Sequence, residues 1–163
     1  MTFKMSIRST AKAFIINNEK VLLNKCHDKF NGDYYSLPGG GQLQYETISE
    51  AITRECLEET GYTVLPVRFA ALCEEICMHE EFRQKHSEYA HKMYHIFICK
   101  LSGDDVKTPT EKDDMQESCE RIPLDSLKDI RILPKVFGEN IFDVIDKTAP
   151  LFLGSEHVEY NHG

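Results

Sequence analysis

The 163-residue sequence has no apolar run approaching the roughly 18 residues that a membrane-spanning helix requires. Its opening stretch, MTFKMSIRSTAK, has neither the continuous apolar segment nor the small-residue cleavage site of a signal peptide, so a cytoplasmic location is expected. Basic residues are scarce. Lys and Arg total 19 against 27 Asp and Glu, a net charge of −8. General nucleic-acid binding is thereby disfavoured, because holding phosphates by counterion release needs a basic face. If this chain handles phosphates, a metal must help. The cysteines follow neither a small disulfide framework nor a zinc-knuckle spacing: Cys26, Cys56, Cys73, Cys77, Cys99 and Cys119 are scattered, and Cys73-x3-Cys77 with His79 has no second pair. Reduced thiols are expected.

What is present suits one folded domain. Hydrophobic residues at 41% and charged residues at 28% lie near the averages for globular chains, which argues against disorder, and the length predicts a single domain over 1–163. Ala11–Ile16 and Val21–Leu23 flank the polar Asn17-Asn18-Glu19-Lys20, the pattern of a β-hairpin. A short strand is predicted over Tyr34–Leu37, then Pro38-Gly39-Gly40-Gly41, where backbone can approach closely. Thr47 and Glu50 have capping-box spacing, helix formers continue to Thr60, and Gly61 supplies a stop. Val64–Cys77 and Lys92–Leu101 read as strands joined by a polar loop or hairpin tips, and an acidic loop is predicted from Ser102 to about Glu120. Leu124–Leu127 begins a helical turn, and Val136, Phe137, Ile141, Val144 and Ile145 predict a terminal helix over 134–147. The order predicts an α/β fold with a mixed sheet between helices.

On the central helix, at about 100° per residue, Glu55, Glu58 and Glu59 share one arc centred near Ile48. A solvated charge face lies opposite the apolar stripe, whereas these carboxylates continue it. Like charges gathered this way repel, and a divalent cation reverses the sign; carboxylate oxygens suit Mg²⁺, with Mn²⁺ as an alternative. Gly39, Gly40 and Gly41, just upstream, offer unhindered peptide groups to a phosphate or a metal.

Together these residues resemble the Nudix box, G-x5-E-x7-R-E-U-x-E-E-x-G-U, where U is usually a bulky aliphatic residue. Gly40 is followed after five residues by Glu46, after seven more by Arg54-Glu55, then by Glu58-Glu59 and Gly61, so every fixed position matches; Cys56 and Tyr62 depart from the usual type at U. IPLDSL at 122–127 is similar to the segment that commonly follows the last sheet strand in the family. The resemblance implies a Nudix-type α/β/α sandwich and hydrolysis of a pyrophosphate bond in a nucleoside diphosphate derivative. It implies Mg²⁺ held by Glu55, Glu58, Glu59 and the Gly39 carbonyl, with Arg54 as an orienting partner. The general base is Glu55 in this reading, with Glu117 as the leading carboxylate outside the box and Glu74, Glu75, Glu80 and Glu81 as further candidates. The partner expected is a small-molecule nucleotide, with no membrane; a homodimer is compatible with the reading.

Substrate choice stays open at this point. In the family, ADP-ribose subgroups often carry a proline some way past the box, and dinucleoside polyphosphate subgroups a tyrosine; here 76–79 reads Ile-Cys-Met-His. ADP-ribose or a nucleotide-sugar is the first expectation, a nucleoside triphosphate the second, and a non-catalytic ligand-binding domain the third. Tyr34, Tyr35, Phe69 and Tyr94 are candidates to stack a base but are more often core residues, and His79, His86, His91 and His95 read as surface.

Overall fold

The computed structural model describes residues 6–109 and 116–162. It opens with β1 (Arg8–Asn17) and β2 (Lys20–Asp28), antiparallel strands joined through Asn18 and Glu19, which have φ of 51° and 61°. Two successive left-handed residues give the turn the twist that hairpin strands require. There follow β3 (Gly32–Ser36), β4 (Gly39–Gly41), α1 (Ile48–Thr60), β5 (Tyr62–Cys77), α2 (Glu80–Lys85), α3 (Ser87–Ala90), β6 (His91–Val106) and β7 (Gln116–Pro123). A 3₁₀ turn (Leu124–Asp129), β8 (Ile132–Leu133), α4 (Lys135–Glu139), α5 (Ile141–Asp146) and β9 (Leu151–Val158) complete the described chain.

The sheet is mixed, in the order β8-β3-β2-β1-β6-β5-β9, with β1–β6, β3–β8 and β5–β9 parallel. It forks at β1. Ile15–Asn17 pair with β2, while Thr10–Lys12 pair on the same edge with β4; beyond the fork β2 pairs with β3. That division brings the glycine segment onto the sheet itself.

Alternation along β1 sorts the two cores. Ala11, Ala13 and Ile15 pack with Ala51, Ile52 and Cys56 of α1 on one face, while Phe14 packs with Phe137, Ile141 and Val144 of α4 and α5 on the other. Helices thus cover both faces of a mixed sheet, the α/β/α sandwich expected. Cys56 is fully buried against the sheet and Tyr62 packs on the same cluster, so both departures from the box fill the space an aliphatic residue would.

Several sequence readings need correction. The predicted acidic loop over 102–120 is partly strand: β6 continues to Val106, and β7 begins at Gln116 along β2. The polar segment after β5 carries two short helices, and its first is capped by the His79 ring, whose Nδ1 accepts from Phe82 N, a cap that composition does not announce. The terminal helix is split at Asn140 into α4 and α5, and β9 was not foreseen. Tyr34 and Tyr94 are buried, and Phe69 packs against Phe97. All six cysteines are free, and burial pushes the Cys73 and Cys99 thiols up to about 12.

A buried polar group ties β5 and β6 to the C-terminal segment. Glu75 Oε2 lies 2.5 Å from His162 Nε2, Tyr94 Oη donates to Glu75 at 3.3 Å, and Lys92 Nζ donates to the His162 carbonyl at 3.0 Å. Burial works to raise the Glu75 pKa, but the charges of His162 and Lys92 hold it below its ordinary 4.5. Its stabilisation is therefore complete above that value and is lost as pH falls through the lower folded pKa. Thermal stability of the native chain is expected to fall more steeply between about pH 5 and pH 3 than that of Glu75→Gln; parallel curves would place the acid sensitivity elsewhere.

Candidate active site

Helix α1 is set by its ends. Thr47 Oγ1 accepts from Glu50 N at 3.1 Å, Glu50 Oε2 accepts from Thr47 N at 2.9 Å, and Gly61 closes the helix at φ 78°. These caps fix the rotation of the helix and so the direction of its carboxylates.

The glycines meet those carboxylates directly. A side chain at Gly39, which has φ of 141°, would place its Cβ 2.0 Å from the Ala11 carbonyl oxygen; one at Gly40 would meet the Glu55 carboxylate at 2.6 Å. Glu55 therefore rests on bare backbone. Glu59 is buried, and its Oε2 accepts from Gly39 N at 3.0 Å and from Asn24 Nδ2 at 3.2 Å.

Arg54 collects the rest. Its Nε and Nη2 donate to the two oxygens of Glu46 at 2.7 and 3.0 Å, Nη2 also reaches the Gly41 carbonyl at 3.0 Å, and Nη1 donates to Glu55 at 2.8 Å and Glu58 at 3.2 Å. The pairing with Glu46, chiefly by hydrogen bonds, raises the Arg54 pKa and holds the Glu46 carboxyl below its usual range. One planar guanidinium thus spans three box carboxylates and a box carbonyl, a geometry that lysine does not reproduce.

Two cations sit beside the loop. The Lys12 ammonium is buried and donates to the Leu37 and Gly39 carbonyls, both at 3.3 Å. The Arg8 guanidinium occupies the side-chain direction of Gly41 and lies 4.6 Å from the Tyr89 ring centroid. Among the described residues neither has a carboxylate within ion-pair distance. A charge kept out of water, as that of Lys12 is, normally has a counter-ion, so Lys12, with the half-exposed Arg8 nearby, is suited to an anion.

Glu117 stands at the bulge where β7 shifts register against β2; it is exposed, and among the described residues it has no hydrogen-bond or ion-pair partner. Its neighbour Gln116 is buried and donates to the Glu59 carbonyl at 3.3 Å. Glu74 is engaged by His91 and Ser155, Glu75 by His162, Glu80 by Gln84 and Glu81 by Lys85. Lys12, Arg8, Asn24 and Gln116 escaped the sequence reading; the one signal was a lysine within the otherwise apolar Ala11–Ile16 stretch.

Among the described residues no three His, Cys, Asp or Glu side chains converge as a ready-made metal cage. The donor chemistry nevertheless fits a hard cation: Glu55, Glu58 and Glu59 with the Gly39 carbonyl are all oxygen donors, and the Asn24 Oδ1 beside Glu59 is buried without a partner.

An α/β/α sandwich whose capped helix sets clustered carboxylates against a glycine strand defines a class, and comparison with known proteins names it. The NUDIX domain model matches residues 7–141. The fold is similar to that of a mutator MutT protein from Bacillus halodurans, with a TM-score of 0.66 and 17% identity over 94% of this chain and 91% of that one. It is also similar to a NUDIX hydrolase from Nitrosomonas europaea, at 0.65 and 18% over 95% and 81%, and to an ADP-ribose pyrophosphatase from Streptococcus suis, at 0.59 and 17% over 93% and 100%. No curated protein matches the sequence. The chain belongs to the NUDIX family. It is a hydrolase of that family. Among the described residues no helix is long and apolar enough to cross a membrane.

Proposed function

We propose that this protein cleaves the phosphoanhydride of a nucleoside triphosphate in a Mg²⁺-dependent reaction, releasing a nucleoside monophosphate and pyrophosphate. The observation that carries the catalytic reading is the convergence of Glu55, Glu58 and Glu59 on Arg54 and the glycine strand. Glu58, Glu59 and the Gly39 carbonyl would hold the ion, together with Glu55. When bound, Mg²⁺ neutralises the pyrophosphate oxygens and lowers the pKa of the attacking water. Glu55 takes the proton from that water as its oxygen attacks phosphorus, while Arg54 holds the Glu55 carboxylate in place. Lys12 and Arg8, without carboxylate partners among the described residues, favour a substrate with a third phosphate over one whose second half is a neutral sugar.

The second reading is a nucleotide-sugar or ADP-ribose, supported by the likeness to the Streptococcus suis pyrophosphatase. Incubation with a panel of both classes and Mg²⁺, with product identification, separates them. Triphosphates are expected to turn over fastest and to yield nucleoside monophosphate and pyrophosphate. Preferential conversion of ADP-ribose to AMP and ribose 5-phosphate would install the second reading.

A further inference from the structure

We infer that the pocket at the tip of the β2–β3 hairpin is the subsite for the base of the nucleotide substrate, an inference that rests on the proposed function. The pocket has a volume of about 440 Å³ and is lined by Phe30, His79, Phe82, His86, Tyr160 and Asn161 among others. That is within the range of small-molecule sites. Its walls are rings. Phe30 and Tyr160 stack at 4.5 Å and 11°, His79 lies 5.5 Å from Tyr160, and Phe82 and His86 pair at 5.2 Å. Phe30, in the turn between β2 and β3, is 52% exposed, with Tyr160 stacked on its ring and the Lys29 ammonium 4.8 Å from its centroid. Aromatic faces of this kind accept any planar base.

Asn161 Oδ1 is buried and has no hydrogen-bond partner among the described residues, an acceptor that a donor from the ligand would satisfy. His79 Nδ1 accepts from Phe82 N, which leaves Nε2 as the donor. Asp28, also at the pocket, contributes neither, since its oxygens accept from Phe30 N, Asn31 N and Asn31 Nδ2 in its own turn. Lys29, Glu81 and Lys85 also line the pocket, Glu81 and Lys85 paired with each other and Lys29 set over the Phe30 ring; the Asn161 acceptor, the His79 donor and the ring walls suit a nucleobase carrying an exocyclic amine.

Position connects the pocket to the chemistry. Asn24, bonded to Glu59, and Asp28 lie four residues apart on one face of β2, about 13 Å at strand rise. A nucleoside with its phosphates at the glycine strand bridges such a span. Tyr160 and Asn161 lie beyond residue 141, where the family match ends.

The sequence contains no tryptophan, so Phe30→Trp in the full chain installs its only indole. AMP is expected to quench that emission saturably and ribose 5-phosphate is not, while an indole placed by Phe152→Trp on β9 should ignore both. IMP, which presents a carbonyl where AMP has its amine, should bind Phe30→Trp several-fold more weakly, and adding Asn161→Leu should erase that preference. In kinetics, Phe30→Ala is expected to raise KM for nucleotides about tenfold and to lower kcat far less. Quenching by AMP with no hydrolysis of any nucleotide would uphold the pocket and remove the proposed function. Hydrolysis with no quenching and an unchanged KM in Phe30→Ala would remove the pocket.

Discussion

Glu58→Gln and Glu59→Gln are each expected to lower turnover on the order of a hundredfold or more while leaving the fold intact. A carboxamide keeps the shape and one acceptor oxygen. In Glu59→Gln that oxygen can still accept from Gly39 N and Asn24 Nδ2, so the local geometry survives the loss of charge. What disappears is the negative oxygen needed for a hard cation. Removing one of three clustered carboxylates also relieves repulsion, so the metal-free variants should melt no lower than the native chain. Turnover within a few-fold of native for both, at saturating Mg²⁺, would refute the assignment of these residues to the metal.

Gly39→Ala is the second large effect, and its mechanism is steric. The added methyl would overlap the Ala11 carbonyl, against which β4 pairs, and a φ of 141° is a conformation alanine rarely adopts. Left-handed strain and backbone overlap each cost of the order of 1–3 kcal/mol. The strand is expected to lift away from β1, taking with it the amide that holds Glu59 and the carbonyl assigned to the ion. Both thermal stability and turnover should fall, in contrast to the carboxamide variants, which lose turnover alone. A Gly39→Ala protein with native melting and native rate would show that β4 does not need this close approach.

The local parts of the architecture were legible because their causes are local. A polar tetrapeptide between apolar runs makes the β1–β2 hairpin, and Thr47, Glu50 and Gly61 define α1 at both ends through bonds within a few residues. The box placed Glu55, Glu58 and Glu59 on one arc for the same reason. β9 was hidden because its partner, Ala71–Cys77 of β5, lies far away in sequence and pairs in parallel without a connecting turn. Helical periodicity says nothing of the Arg54–Glu46 pair, since Glu46 precedes the helix; only the chain's path around Thr47 brings them together. Lys12 gave no sign of its role, because its ammonium reaches the carbonyls of Leu37 and Gly39, 25 and 27 residues on.

The central claim is that the box carboxylates and a divalent ion act together on a diphosphate linkage. The most direct test assays purified protein on a nucleoside triphosphate and on AMP, with Mg²⁺ and again in excess EDTA. The expected result is cleavage of the triphosphate only, abolished by EDTA and restored by added Mg²⁺. Release of inorganic phosphate from AMP, or undiminished turnover in EDTA, would contradict it.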